Sequence, residues 1–232
     1  MAIILDGNNT PTLGGIGYGD GSELAFTGAG TAGGVLYSAG GAAPVFSAAG
    51  TAGQVLTSGG AGAPTWGTLS PGLTLVTEVN ASASDTVELT GMSSAYKSYM
   101  LVASNLVMSA QQELTFTIQQ GSYLTTGYYG NRAGRSSGST AQTNAQIENL
   151  TSFQFTVNAP QFNNFVMYIF DPAAASQSTQ WLIFHSGWTS GTSYQTFTNG
   201  AQSAAGATTA IKFDAGSATY TSGNFKLYGL GG

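Results

Sequence analysis

Arg132 and Arg135 are the only arginines of the chain, and both stand in one polar stretch with Tyr123, Tyr128 and Tyr129. A second polar stretch, rich in Gly and Ser, carries Trp188 and Tyr194. Tyr and Trp faces stack on sugar rings, and a guanidinium holds a carboxylate or phosphate through two parallel hydrogen bonds. These residues form the candidate receptor-binding set, suited to reversible recognition of a glycan or an acidic envelope group. The competing reading packs the rings onto the body of the fold or a neighbouring subunit. It takes most of them, since large rings are chiefly packing residues. The arginines have a similar alternative, pairing with Glu148 or with a neighbouring subunit's carboxylate.

Covalent and acid–base chemistry is poorly provided for. His185, the single histidine, follows Trp181-Leu182-Ile183-Phe184 on the face of Trp181 and Ile183, where a satisfied core or interface histidine is the expectation. The chain has no cysteine, which removes disulfides, thiolate metal ligands and cysteine nucleophiles. A zinc site would need mostly carboxylates, and these are scattered. Asp85 and Glu88 lie close together, but glycoside hydrolysis would need a facing pair, available only if two carboxylates met across the fold or an oligomer interface. Gly28-Ala29-Gly30-Thr31-Ala32-Gly33 has GxGxxG spacing, yet poor helix formers follow and no acidic residue stands near position 50. The expectation is a non-enzyme with neither metal nor cofactor.

For the elements that would hold these residues, composition points to β-structure. Only 6% of the 232 residues are charged, while 42% are hydrophobic and 34 are glycine. Exposed helix faces usually spend Lys, Glu and Arg, so their scarcity favours strands. A net charge of −5 with five Lys+Arg leaves no basic footprint for nucleic acid. No apolar run is long enough to span a membrane, so no membrane insertion is expected. From residue 71 onward apolar residues alternate with period two, as at Val87/Leu89, Leu114/Phe116/Ile118, Ile211/Phe213 and Phe225/Leu227. Leu73/Leu75 and Phe153/Phe155/Val157 show the same alternation. Tyr99–Val102, Phe165–Phe170 and Trp181–Phe184 are continuous apolar runs, the pattern of central strands covered on both faces. Eight or nine strands without a helix suggest a jelly-roll-like β-sandwich over 71–232. Gly121–Gln146 reads as one long loop of functional length.

Ahead of the sandwich the chain repeats itself. Gly30-Thr31-Ala32-Gly33-Gly34-Val35-Leu36 returns as Gly50-Thr51-Ala52-Gly53-Gln54-Val55-Leu56, and aromatics recur in phase at Phe26, Phe46 and Trp66. Each copy offers one short strand, a Gly/Ala turn, a proline and an aromatic, too little to bury a core alone. Residues 30–70 therefore read as an intertwined oligomeric shaft in which Phe26, Val35, Leu36, Phe46, Val55, Leu56 and Trp66 meet their equivalents. Residues 1–29, with a short strand at Ala2–Leu5, read as an attachment segment.

Gly50-Thr51-Ala52-Gly53-Gln54-Val55-Leu56-Thr57-Ser58-Gly59-Gly60-Ala61-Gly62-Ala63-Pro64-Thr65-Trp66 resembles the repeat of bacteriophage tail fibres and related virion appendages. The ending Ala210-Ile211-Lys212-Phe213 with Ser222-Gly223-Asn224-Phe225-Lys226-Leu227-Tyr228-Gly229 is similar to the last hairpin of many phage fibre tips. The resemblance covers about a third of the chain. It implies a homotrimer on the virion surface, bound to other virion proteins by its N-terminal segment, with the C-terminal domain turned towards a host glycan. The chain is short, with two clear repeats, so a capsid head fibre or decoration protein is the alternative expectation.

Overall fold

A computed structural model describes residues 13–22, 24–69, 72–136, 143–157, 163–189 and 192–231. The expected strand at Ala2–Leu5 lies outside the described residues. The fold is all-β, with no helix among the described residues, and divides into two compact units, Met1–Ser70 and Pro71–Gly232.

The first unit is three hairpins: β1 (Gly17–Gly19) with β2 (Leu24–Phe26), β3 (Leu36–Tyr37) with β4 (Val45–Phe46), and β5 (Gln54–Thr57) with β6 (Thr65–Thr68). Gly40 and Gly60 turn the second and third hairpins at φ +75° and +68°, a region open to glycine at no steric cost. Hydroxyls recur in phase too: the Ile16 N–H donates to Thr27 Oγ1 at 2.9 Å and the Val35 N–H to Ser47 Oγ at 3.0 Å. In the third copy Gly67 takes that place and simply pairs with Val55 in the strand ladder. Each aromatic lies on a glycine. A Cβ on Gly30 would fall 2.9 Å from the Phe46 ring and one on Gly50 2.6 Å from the Trp66 indole, whose Nε1 donates to the Ala48 carbonyl at 2.8 Å. Among the described residues of this unit only Thr27 is buried, so the hairpins enclose no core of their own. Phe26, Phe46 and Trp66 are half-buried, whereas Val35, Leu36, Val55 and Leu56 are exposed.

The second unit holds thirteen strands where the sequence suggests eight or nine. They run β7 (Leu73–Asn80), β8 (Thr86–Thr90), β9 (Ser98–Met108), β10 (Gln112–Gln120), β11 (Ser122–Tyr123), β12 (Tyr128–Ser136) and β13 (Thr143–Leu150). After these come β14 (Phe153–Val157), β15 (Asn163–Phe170), β16 (Ser178–Thr189), β17 (Thr192–Ala205), β18 (Ala210–Asp214) and β19 (Tyr220–Leu230). A large sheet has the order β13-β12-β17-β16-β15-β9-β19-β7, and a small one the order β11-β10-β18-β8, with β14 also on β10. Pairings nest: β7 with β19, β8 with β18, β9 with β15, β10 with β14, all antiparallel.

The sheets face each other across an aromatic core. Phe116 of the small sheet meets the Trp181 ring of the large one at 5.1 Å between centroids, and Phe213 meets Phe165 at 5.4 Å. Offset and edge contacts of this kind add to simple burial. Three expectations are corrected here. Gly121–Gln146 is not one loop: it contains β11, β12 and part of β13, with 137–142 outside the described residues. The apolar runs in β9, β15 and β16 are central, but within the chain each is covered on one face only, buried and half-covered residues alternating. Leu73 and Leu75 likewise point away from the core, and Val76 and Val79 pack on it instead.

Candidate functional site

Strand pairing sorts the sequence candidates by position. One continuous cross-strand row runs Tyr129, Ala201, Gln180, Phe170, Ser98, Leu230, Leu73, and so marks the end of the large sheet at which β7 begins. Arg135 lies six residues along β12 from Tyr129, roughly 20 Å away at a strand's rise per residue. It pairs with Gln195, which pairs with Ser186, while Trp188 pairs with Ser193 and Tyr194 with Gly187. The far end of the large sheet therefore gathers Arg135, Trp188 and Tyr194. By alternation Trp188 and Arg135 lie on the outer face and Tyr194 on the face turned to the small sheet.

The other candidates separate from this end. Tyr128 is a core residue: it is fully buried, accepts from the Ile118 N–H at 2.8 Å and donates to the Leu124 carbonyl at 3.2 Å. Burial pushes its phenol up to about 12. Arg132 does not pair with Glu148; its Nη1 meets Glu113 Oε1 at 3.1 Å, tying β12 to β10 of the other sheet. Glu148 accepts instead from Gln146 at 2.7 Å. Tyr123 sits on the small sheet with Lys212 Nζ 4.5 Å from its ring centre, and burial, aided by Glu88, raises its hydroxyl above the ordinary phenol range. Tyr129 is exposed, but at the near end.

Beneath the far end lies a buried polar group, for which the sequence pattern gives the buried face of His185 but neither of its partners. His185 is 3% exposed, with Nε2 3.2 Å from Asn163 Oδ1 and Nδ1 3.1 Å from Thr196 Oγ1. The Asn163 amide nitrogen faces the Leu106 carbonyl at 3.5 Å, so Oδ1 is left to accept and the imidazole proton belongs on Nε2. Gly187 makes room, since a Cβ there would fall 2.3 Å from Asn163 Oδ1. Burial lowers the His185 pKa to about 4, so the ring is neutral at pH 7. At the rim Asn105 adopts φ +53° and donates its N–H to Asn164 Oδ1 at 2.9 Å. Asparagine tolerates this left-handed conformation, and here it coincides with a register shift in β9 against β15.

The arrangement can stack, hydrogen-bond and attract anions. It offers a half-exposed indole, a guanidinium and a rim of Asn, Ser and Gln amides and hydroxyls. Among the described residues no three His, Asp or Glu side chains gather to hold a metal. No helix of the described residues is long and apolar enough to cross a membrane. No family model, curated protein or solved structure matches the chain.

Proposed function

We propose that this protein is a structural bacteriophage virion fibre, homotrimeric through the shaft of residues 30–70, whose jelly-roll-like C-terminal domain binds a host-surface glycan. The observation that carries the reading is the first unit, three hairpins in a 20-residue phase whose aromatics rest on glycines and which enclose no core. A ribbon of that kind is completed by other copies wound with it. The nested pairing of β7 to β19 supports the jelly-roll order. The far end of the large sheet is the receptor surface. It lies opposite the end of the sheet at which β7 begins, and it carries Arg135 and Trp188. Threefold repetition turns one weak contact into useful avidity.

Two measurements test this. Antibody labelling of intact particles should place the protein on the tail; label at capsid vertices or capsomer centres establishes a head fibre or decoration protein instead. Arg135→Ala with Trp188→Ala should lower adsorption of the purified chain to host cells by on the order of tenfold or more, since each lost aromatic or charge-assisted contact is worth about 1–2 kcal/mol and the loss multiplies over copies. An assembled variant that adsorbs normally removes this end from the binding site.

A further inference from the structure

The two outer faces of the second unit differ in kind. On the small sheet, Glu88 and Thr90 of β8, Lys212 of β18 and Thr115 and Thr117 of β10 alternate with the buried residues. That is an ordinary wet surface. On the large sheet, Met100, Tyr168 and Leu182 form one cross-strand row, and Val102, Val166, Phe184 and Phe197 form the next. Phe184 is 48% and Phe197 42% exposed, and their rings meet edge to face at 5.2 Å on the open surface. A groove of about 680 Å³ runs beside them. Lys226 of β19 continues the second row and is neutralised by Glu78 of β7 at 3.5 Å, and Arg135 stands at the far end of the groove.

We infer that the outer face of the large sheet, from its near end to the row of Phe184 and Phe197, is an interface between copies of this chain, with Arg135 and Trp188 lying beyond it. With the leucines of β7 and Phe170, the exposed apolar area is on the order of 700 Å², above the largest patch of a usual monomer and close to what one partner contributes to a stable complex. A face so apolar, with Lys226 paired within it and Arg135 at its far end, fits a permanent partner better than one that comes and goes. The first unit supplies the identity of that partner: it too lacks cover for its apolar residues, and one oligomer of this chain covers both surfaces. The doubly apolar sequence of β9, β15 and β16 then has its physical reason, because the second face is closed by a neighbour. The inference rests on the chain's own faces and not on a virion location.

The chain has no cysteine, so single-cysteine variants report unambiguously. In the full-length oligomer, Phe184→Cys should react with a bulky maleimide on the order of tenfold more slowly than Glu88→Cys, and mild dissociation should abolish the difference. Phe184→Glu with Phe197→Glu should raise the concentration at which the oligomer falls apart, by light scattering, by on the order of tenfold or more. Both residues lie outside the core, so folding of the unit is not at stake. Equal maleimide rates in an intact oligomer overturn the inference, as does a monomeric full-length chain. Slow labelling with unaltered association also overturns it, because the cover would then come from the same chain or another molecule.

Discussion

His185 couples one end of the large sheet to pH. Its pKa falls from 6.5 to about 4 because burial disfavours the imidazolium. Between those values the unfolded chain binds more protons than the folded one, so stability is whole above pH 6.5 and declines as pH drops towards 4. The full loss is about 3 kcal/mol, on the conversion of a pKa difference to free energy. Thermal unfolding followed from pH 7 to 4.5 should show this decline in the native chain and a shallower one in His185→Gln, which keeps partners for Asn163 and Thr196 without the titration; parallel curves would refute it. At this scale the sequence is informative about residue type and weak about place. His185 falls on the buried face because the alternation of Trp181, Ile183 and His185 is local. Arg132 meeting Glu113, and Tyr128 reaching Ile118 and Leu124, depend on strands brought together by folding. A period-two reading that follows aliphatic residues passes over a tyrosine anchored by its hydroxyl.

At the scale of elements, glycine carries two opposite meanings. In the first unit it announces structure: Gly30 and Gly50 precede the strands and seat Phe46 and Trp66. Gly50→Ala should push the indole off its seat and break its bond to Ala48, costing about 1–3 kcal/mol as overpacking does. Trp66 emission, taken as the difference from a Trp66→Phe control because Trp181 and Trp188 also emit, should shift to the red and the oligomer should melt earlier. Gly41→Ala, where an added Cβ meets nothing within 4 Å, should leave both unchanged. In 121–146 the same residue hides structure. Gly130 reads as loop, yet a Cβ there would lie 2.2 Å from the Asn199 carbonyl and 2.7 Å from Phe153, so glycine is what lets β12 approach β17. The repeat was legible because its signal is sequence set against itself. β12 was not, because its hydrogen bonds come from β13 and from the distant β17.

Over the whole second unit, nesting fixes an order of completion. β19 is not an edge: it lies between β9 and β7 and hydrogen-bonds to both. During synthesis, at about 5–20 residues per second, β7 and β9 wait on the order of ten seconds for the strand that joins them. Throughout that wait two strand edges stand open, the condition that invites aggregation. A chain stopped after Ser217 lacks an interior strand of the large sheet, and it should be recovered almost wholly in the insoluble fraction; a soluble, oligomeric product would show that β7 and β9 close without it. Ala133→Ser, on the outer face at the opposite side of the sheet, should leave soluble yield unchanged and serves as the control. The same strand extends the face inferred above to be an interface between copies: Tyr228 and Lys226 of β19 continue the rows of Met100 and Val102, so a copy without β19 would present a narrower surface to its neighbours.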